Sequence, residues 1–143
     1  MAGKIIVSAC LLGENVKYNG GNNRHEAVLR YLQGKEYIPV CPEILTGLGA
    51  PRTPVELRDG RVIAQTGEDF TCLYHKGVQD VLDRLAGEEI AMAILKAKSP
   101  TCGSNGIYDG TFSHTLIPGQ GILAQALAQR GIPVYDENTL PEA

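Results

Sequence analysis

The sequence contains no apolar run long enough to cross a membrane. Its longest apolar runs, residues 4–10 and 90–95, are far shorter than the roughly 20 residues that a membrane-spanning helix needs. The N-terminal segment also lacks the apolar stretch and the small-residue cleavage site of a secretory leader. We therefore expect a cytoplasmic protein with no membrane segment, in which the four cysteines are reduced thiols rather than disulfides.

An excess of positive charge is lacking as well. The chain has 13 lysines and arginines against 16 aspartates and glutamates, for a formal net charge of -3. Because binding to duplex nucleic acid depends on a basic surface, duplex nucleic acid is not an expected partner. Hydrophobic residues make up 43% and charged residues 20%, as in ordinary soluble globular proteins, and 143 residues suit a single domain, residues 1–143.

Local metal-binding motifs are also missing from the chain. The three histidines, His25, His75 and His114, show neither His-x-x-x-His nor Cys-x-x-Cys spacing around them, and we interpret them as surface or locally bonded residues. Cys72 lies among polar positions of a predicted helix, and we interpret it as structural or incidental. Any metal or catalytic site must therefore be assembled by the fold from distant segments.

What the sequence does contain is an alternation of short apolar strands with amphipathic helices. Apolar, β-branched runs of this length are typical of strands that are buried on both faces of a parallel sheet. The alternation predicts an α/β domain with a mostly parallel sheet and helices on both faces, with a mixed α+β sheet as the alternative. The predicted elements are strands at 4–9, 37–40, 90–95 and 132–135, helices at about 23–33 (behind an Asn N-cap), 68–86 and 122–129, and a small hairpin around 56–64.

Three cysteines follow three of the predicted strands. Cys10 and Cys41 come directly after their strands, and Cys102 lies seven residues beyond the strand at 90–95. Because the carboxyl ends of parallel strands share one edge of a sheet, we expect these three residues, called the edge cysteines below, to meet in space. The alternative is that they are buried core residues, as many thiols are. Three thiolates would suit a zinc ion or an iron–sulfur cluster with one position left open.

Five short motifs occur along the chain in a specific order. They are Ser-Ala-Cys-Leu-Leu-Gly at 8–13, Tyr-Asn-Gly-Gly at 18–21, Cys-Pro-Glu at 41–43, Gly-Ala-Pro-Arg at 49–52 and Lys-Ser-Pro-Thr-Cys-Gly at 98–103. The pieces Cys-Pro-Glu and Ser-Pro-x-Cys-Gly are the most specific. Together the motifs resemble the thiouracil desulfidase family, and the resemblance runs from about residue 4 to residue 135.

This resemblance implies a Rossmann-like domain in which the edge cysteines, Cys10, Cys41 and Cys102, hold a [4Fe-4S] cluster. The expected activity is the removal of sulfur, without net electron transfer, from a small-molecule thiolated pyrimidine that is a base, a nucleoside or a nucleotide. Glu43 is expected to deprotonate the attacking water, and Ser99 to orient the base or relay a proton. We further expect the substrate to contact two residues within or beside the motifs, which are Asn19 and Ser104.

Two other functions remain open at this point. The first is a zinc-dependent or thiol-based hydrolase that uses Cys41 with Glu43, and the second is a non-catalytic carrier of sulfur or metal. A further segment, Gly-Gln-Gly-Ile-Leu-Ala at 119–124, is similar to the dinucleotide-binding pattern. It lacks the acidic residue that should follow, so a tight turn into a helix is the preferred interpretation, with single-phosphate binding as the alternative.

Overall fold

The computed structural model describes residues 3–15, 20–41, 53–99, 101–103, 106–113 and 115–140. These segments form three helices, eight strands and one 3-10 turn. In chain order the elements are β1 (Lys4–Ser8), the 3-10 turn (Ala9–Leu12), α1 (Glu26–Leu32), β2 (Tyr37–Val40), β3 (Val55–Arg58), β4 (Arg61–Ala64), α2 (Thr71–Leu85), β5 (Ile90–Leu95), β6 (Ile107–Tyr108), β7 (Leu116–Ile117), α3 (Ile122–Gln129) and β8 (Val134–Asp136).

The main sheet has the order β2-β1-β5-β8, and every neighbouring pair in it is parallel. In the two central strands Val7 and Ile94 are fully buried and lie side by side, as expected for apolar runs covered on both faces. The strand β2 is at an edge of the sheet, where Pro39 is tolerated because one side of the strand needs no ladder hydrogen bond. The predicted parallel sheet is therefore confirmed, and within the described part of the chain the main sheet contains no antiparallel pair.

Helices cover both faces of this sheet, as predicted. On one face, Val28 and Leu32 of α1 pack against Ile5 and Val7. On the opposite face, α2 and α3 pack against the other side chains of the same strands, together with the β3–β4 hairpin. That larger core includes Ile6, Ala93 and Leu95 from the sheet, Tyr74, Val78 and Val81 from α2, and Leu123 and Leu127 from α3.

The first helix begins later than the sequence predicts. We expected a helix from about residue 23 with an Asn N-cap, but α1 begins at Glu26 and His25 is its N-cap. The reason is tertiary: the backbone N–H of Asn23 donates to the carbonyl of Cys10, and that of His25 donates to the carbonyl of Leu11. These bonds hold residues 20–25 as a non-helical segment against the 3-10 turn.

The other predictions differ from the structure mainly at element boundaries. The hairpin predicted around 56–64 is the pair β3–β4, and Asp59 and Gly60 at its turn both have the positive φ that a tight hairpin turn requires. The second hairpin, β6–β7, was not predicted because two-residue strands leave no periodic signal. Among the described residues, no helix has the length and apolar composition of a membrane span.

Candidate functional site

The structure places the three edge cysteines at one edge of the main sheet. Cys41 directly follows β2, Cys10 lies in the 3-10 turn that follows β1, and Cys102 lies in the loop after β5. Because β2, β1 and β5 are neighbours and run parallel, their carboxyl ends share this edge. Cys102 is buried and the other two edge cysteines are half-buried, whereas Cys72 is exposed in the first turn of α2.

The turn that carries Cys10 is fixed by two backbone amides. The N–H groups of Gly13 and Asn23 both donate to the carbonyl of Cys10, at 3.2 and 2.9 Å. Gly13 adopts a φ of 100°, a left-handed conformation that glycine reaches at little cost, and it ends the turn. The side chain of Asn23 also reaches the thiol, since its Nδ2 lies 3.4 Å from Sγ of Cys10.

The loop that carries Cys102 is organised by Ser99. The hydroxyl oxygen of Ser99 accepts the backbone N–H groups of Thr101 and Cys102, both at 3.1 Å. The carbonyl of Ser99 accepts the N–H of Gly103 at 2.8 Å. The position of Cys102 therefore depends on the residue that the family resemblance singles out for catalysis.

The same loop is docked onto the start of α3. The N–H of Gly121 donates to the carbonyl of Gly103 at 2.7 Å, and the N–H groups of Leu123 and Ala124 donate to the carbonyl of Thr101 at 2.8 and 3.3 Å. The first amides of a helix have no hydrogen-bond acceptor inside the helix. Here carbonyl groups of the loop that carries Cys102 accept them. The glycine-containing segment 119–124 is thus a tight turn into a helix, and these amides are not available to a phosphate.

Polar side chains tie the strand ends together along this edge. The buried hydroxyl of Ser8, at the end of β1, accepts the backbone N–H of Lys96, which follows β5. Glu137, which follows β8, accepts the backbone N–H of Ala97 and forms an ion pair of 3.1 Å with the ammonium group of Lys96. The Glu137 side chain is only 8% exposed, so solvent screens this pair less than it would a surface pair. The ends of β1, β5 and β8 are therefore held in a fixed arrangement.

Several residues predicted from the sequence lie outside the described part of the chain. These are Glu43, Asn19, Ser104 and His114, so their roles remain predictions. Of the other two histidines, His75 is exposed on α2, and His25 is half-buried at the start of α1. Within the described residues, no three side chains of His, Cys, Asp or Glu converge closely enough to hold one metal ion.

One contact at this site had no counterpart in the sequence-based predictions. Asn23 lies 13 residues from Cys10 in a polar loop. Its contact with sulfur depends on how residues 20–25 fold back on the 3-10 turn. Asparagine is frequent in ordinary turns, so the residue type alone carries no signal of this contact.

Comparison with known proteins gives three consistent matches. The profile of the 2-thiouracil desulfurase family matches residues 5–139. The uncharacterized protein YbbK of Bacillus subtilis (strain 168) is 37% identical over 146 residues, which cover 95% of this chain and 97% of YbbK. The solved structure of the [4Fe-4S]-dependent thiouracil desulfidase TudS is similar with a TM-score of 0.89 and 37% identity, over 97% of this chain and 93% of that one.

These matches extend over nearly the whole chain, and the family profile spans the positions of all three edge cysteines. The parallel sheet brings Cys10, Cys41 and Cys102 to one edge. This chain belongs to the 2-thiouracil desulfurase family.

Proposed function

We propose that this protein uses a [4Fe-4S] cluster, held by the edge cysteines, to remove sulfur from a thiolated pyrimidine of the thiouracil type. The observation that carries this proposal is the position of three cysteines at the carboxyl ends of three adjacent parallel strands. Carboxyl edges of this kind are where open α/β sheets bind ligands. Membership in the desulfurase family and similarity to a [4Fe-4S]-dependent thiouracil desulfidase support the same assignment.

The donor set fits such a cluster chemically. Thiolates are the ligands that iron–sulfur clusters prefer, and a cluster binds each cysteine to a different iron. Its ligands therefore need to come from neighbouring segments, and the edge cysteines lie along one carboxyl edge of the sheet. Cys102 is buried and Cys10 receives an N–H from Asn23, features that typically surround cluster sulfurs.

The overall reaction replaces one sulfur by one oxygen. Water adds to the carbon of the C=S group, and loss of sulfur as hydrogen sulfide leaves a C=O group, with no net electron transfer. When bound, a cluster with one iron that lacks a protein ligand supplies a Lewis acid with affinity for sulfur. The carboxylate of Glu43, two residues after Cys41, is assigned as the base that takes a proton from the water.

The hydrogen bonds of Ser99 favour one of the two roles expected for its hydroxyl, which is to orient the pyrimidine. A serine hydroxyl has two acceptor positions and one proton to donate. The amides of Thr101 and Cys102 fill the acceptor positions, so the Ser99 hydroxyl is suited to donate and not to remove a proton. We assign the Ser99 hydroxyl to donate to a ring heteroatom of the pyrimidine and thereby orient the substrate. The proton of the attacking water is taken by Glu43 instead. Asn19 and Ser104 are assigned to substrate contact on their positions in and beside the motifs.

The test is anaerobic purification, followed by iron and sulfide analysis and by an assay on 2-thiouracil and 4-thiouracil. We expect about four irons and a matching amount of sulfide per chain, broad visible absorption, and conversion of a thiolated base to the oxygen-containing base. A colourless protein with one zinc would favour the hydrolase instead. A loaded cluster without turnover of any thiolated base, nucleoside or nucleotide would favour the carrier, and either result would overturn the proposal.

A further inference from the structure

Asn23 contacts Cys10 through both its backbone and its side chain. Its backbone N–H donates to the carbonyl of Cys10 at 2.9 Å, and its Nδ2 lies 3.4 Å from the sulfur. The residue is half-buried, so water competes less for the amide than it would at a fully exposed position. A cluster-bound thiolate has no proton and can only accept, and therefore the NH2 end of the Asn23 amide is the end that suits it.

The segment around Asn23 is held in place by further hydrogen bonds. The N–H of His25 donates to the carbonyl of Leu11 at 3.0 Å. The side chain of Asn22 accepts the N–H of Arg24 at 3.0 Å and donates to the side-chain oxygen of Asn15 at 2.9 Å. The Asn23 amide is thus positioned by its surroundings before any cofactor binds, which reduces the entropy lost on making the N–H···S bond.

We propose that Asn23 is a positioning residue that stabilises the Cys10 thiolate and protects the bound cluster against oxidation by dioxygen; this inference rests on the proposed function. An N–H donor withdraws electron density from sulfur and favours the more reduced, more negative cluster. Oxidation of a bound cluster would pass one electron to dioxygen, giving superoxide, and would release as a ferrous ion the iron that lacks a protein ligand. Without the Asn23 amide, the loss of this electron would be easier.

The test compares two matched variants of the anaerobically purified holoprotein. Asn23→Leu removes the amide at nearly constant shape and charge. Asn138→Leu makes the same change at an exposed side chain in the turn after β8, where, among the described residues, only the backbone N–H of Asn138 is engaged, by Asp136. The first readout is the midpoint reduction potential of the couple in which the cluster loses one electron on oxidation. The second is the rate at which visible absorption is lost in air. We expect Asn23→Leu to lower the midpoint potential and to bleach faster, because removing an outer hydrogen-bond partner of a metal ligand typically weakens metal binding roughly 10- to 100-fold.

The control and a conservative variant make the result specific. Asn138→Leu should keep the wild-type potential and bleaching rate, and Asn23→Gln, which retains an amide donor on a longer stem, should recover part of the loss. Equal changes in Asn23→Leu and Asn138→Leu, or no change in either, would overturn the inference. If Asn23→Leu assembles no cluster, Asn23→Gln supplies the comparison: a lowered midpoint supports the inference and an unchanged one overturns it. A wild-type protein that holds no cluster is a separate outcome, and it refutes the proposed function.

Discussion

Replacing Gly121 by alanine tests whether the cysteine loop depends on its docking against α3. Gly121 has φ -67° and ψ 164°, an extended conformation that alanine adopts without strain. An added Cβ would, however, lie 2.5 Å from the carbonyl oxygen of Thr101 and 2.8 Å from the backbone nitrogen of Cys102. Both are backbone atoms and cannot rotate away, so the loop and the helix must separate.

The cost of this separation follows from the interactions it disturbs. Overpacking typically costs about 1–3 kcal/mol. Weakening the hydrogen bonds from Gly121 to Gly103 and from Leu123 to Thr101 adds about 0.5–1.5 kcal/mol each. The smaller conformational freedom of alanine in the unfolded chain offsets about 0.4–1 kcal/mol. We expect a net loss of about 1–6 kcal/mol in the free energy of unfolding, together with lower iron content because Cys102 moves.

The assay is urea unfolding together with iron analysis of protein purified anaerobically. Gly131→Ala is the matched control, since Gly131 follows the other end of α3, has φ 80° and has no atom within 4 Å of an added Cβ. There alanine should lower stability by about 1–2 kcal/mol, through backbone strain alone, and leave the iron content unchanged. The reasoning is refuted if Gly121→Ala retains wild-type stability and iron, or if Gly131→Ala loses as much iron.

Three further predictions concern the ligands, the base and acid stability. Replacing any one edge cysteine by serine should abolish cluster assembly, measured as iron and sulfide content, whereas Cys72→Ser should retain it; full iron in two of the three variants would contradict the shared site. Glu43→Gln should keep the cluster but lower kcat and kcat/KM together by roughly 10²- to 10⁴-fold in a steady-state assay on a thiolated pyrimidine, and near-normal turnover would remove Glu43 from the mechanism. Hydrogen bonds from Thr71, supplemented by Arg61, lower the pKa of Asp69 from 3.8 to about 2. Its contribution to stability is therefore present above about pH 4 and lost as the pH falls towards about 2. As the pH falls across this range, the urea midpoint should fall less for Asp69→Asn than for wild type. Loss of the cluster in acid affects both proteins equally, so it cancels when the two midpoints are compared.

The fold was largely predictable because its central strands carry a strong signal. The bounds of β2 and β5 match the predicted residues, and β1 differs only at its last residue. These runs are apolar and rich in β-branched residues, so their sequence pattern alone indicates strands. The start of α1 was not predictable, since it depends on hydrogen bonds from residues 23 and 25 to a turn more than ten residues earlier. The two-residue strands β6 and β7 depend on tertiary pairing in the same way.

The candidate site was predictable to the extent that its residues adjoin those strands. Cys10 and Cys41 directly follow strands whose neighbours in the sheet could be inferred, so their common edge could be inferred as well. The hydrogen bonds that position them could not. The contact of Asn23 with sulfur and the close approach of Gly121 to Thr101 both depend on the meeting of segments far apart in sequence. The similarity of residues 119–124 to a dinucleotide motif reflects this close approach.

Each edge cysteine is held by a different part of the fold. Cys10 depends on residues 20–25, Cys41 follows the edge strand β2, and Cys102 depends on Ser99 and on the start of α3. A cofactor that binds all three would therefore connect three separate segments of the chain. Because it would bind the folded state alone, it would add to the free energy of unfolding. For this reason a change at one anchor, such as Gly121→Ala, should lower both stability and cluster content, whereas strain at a distant glycine such as Gly131 should lower stability alone.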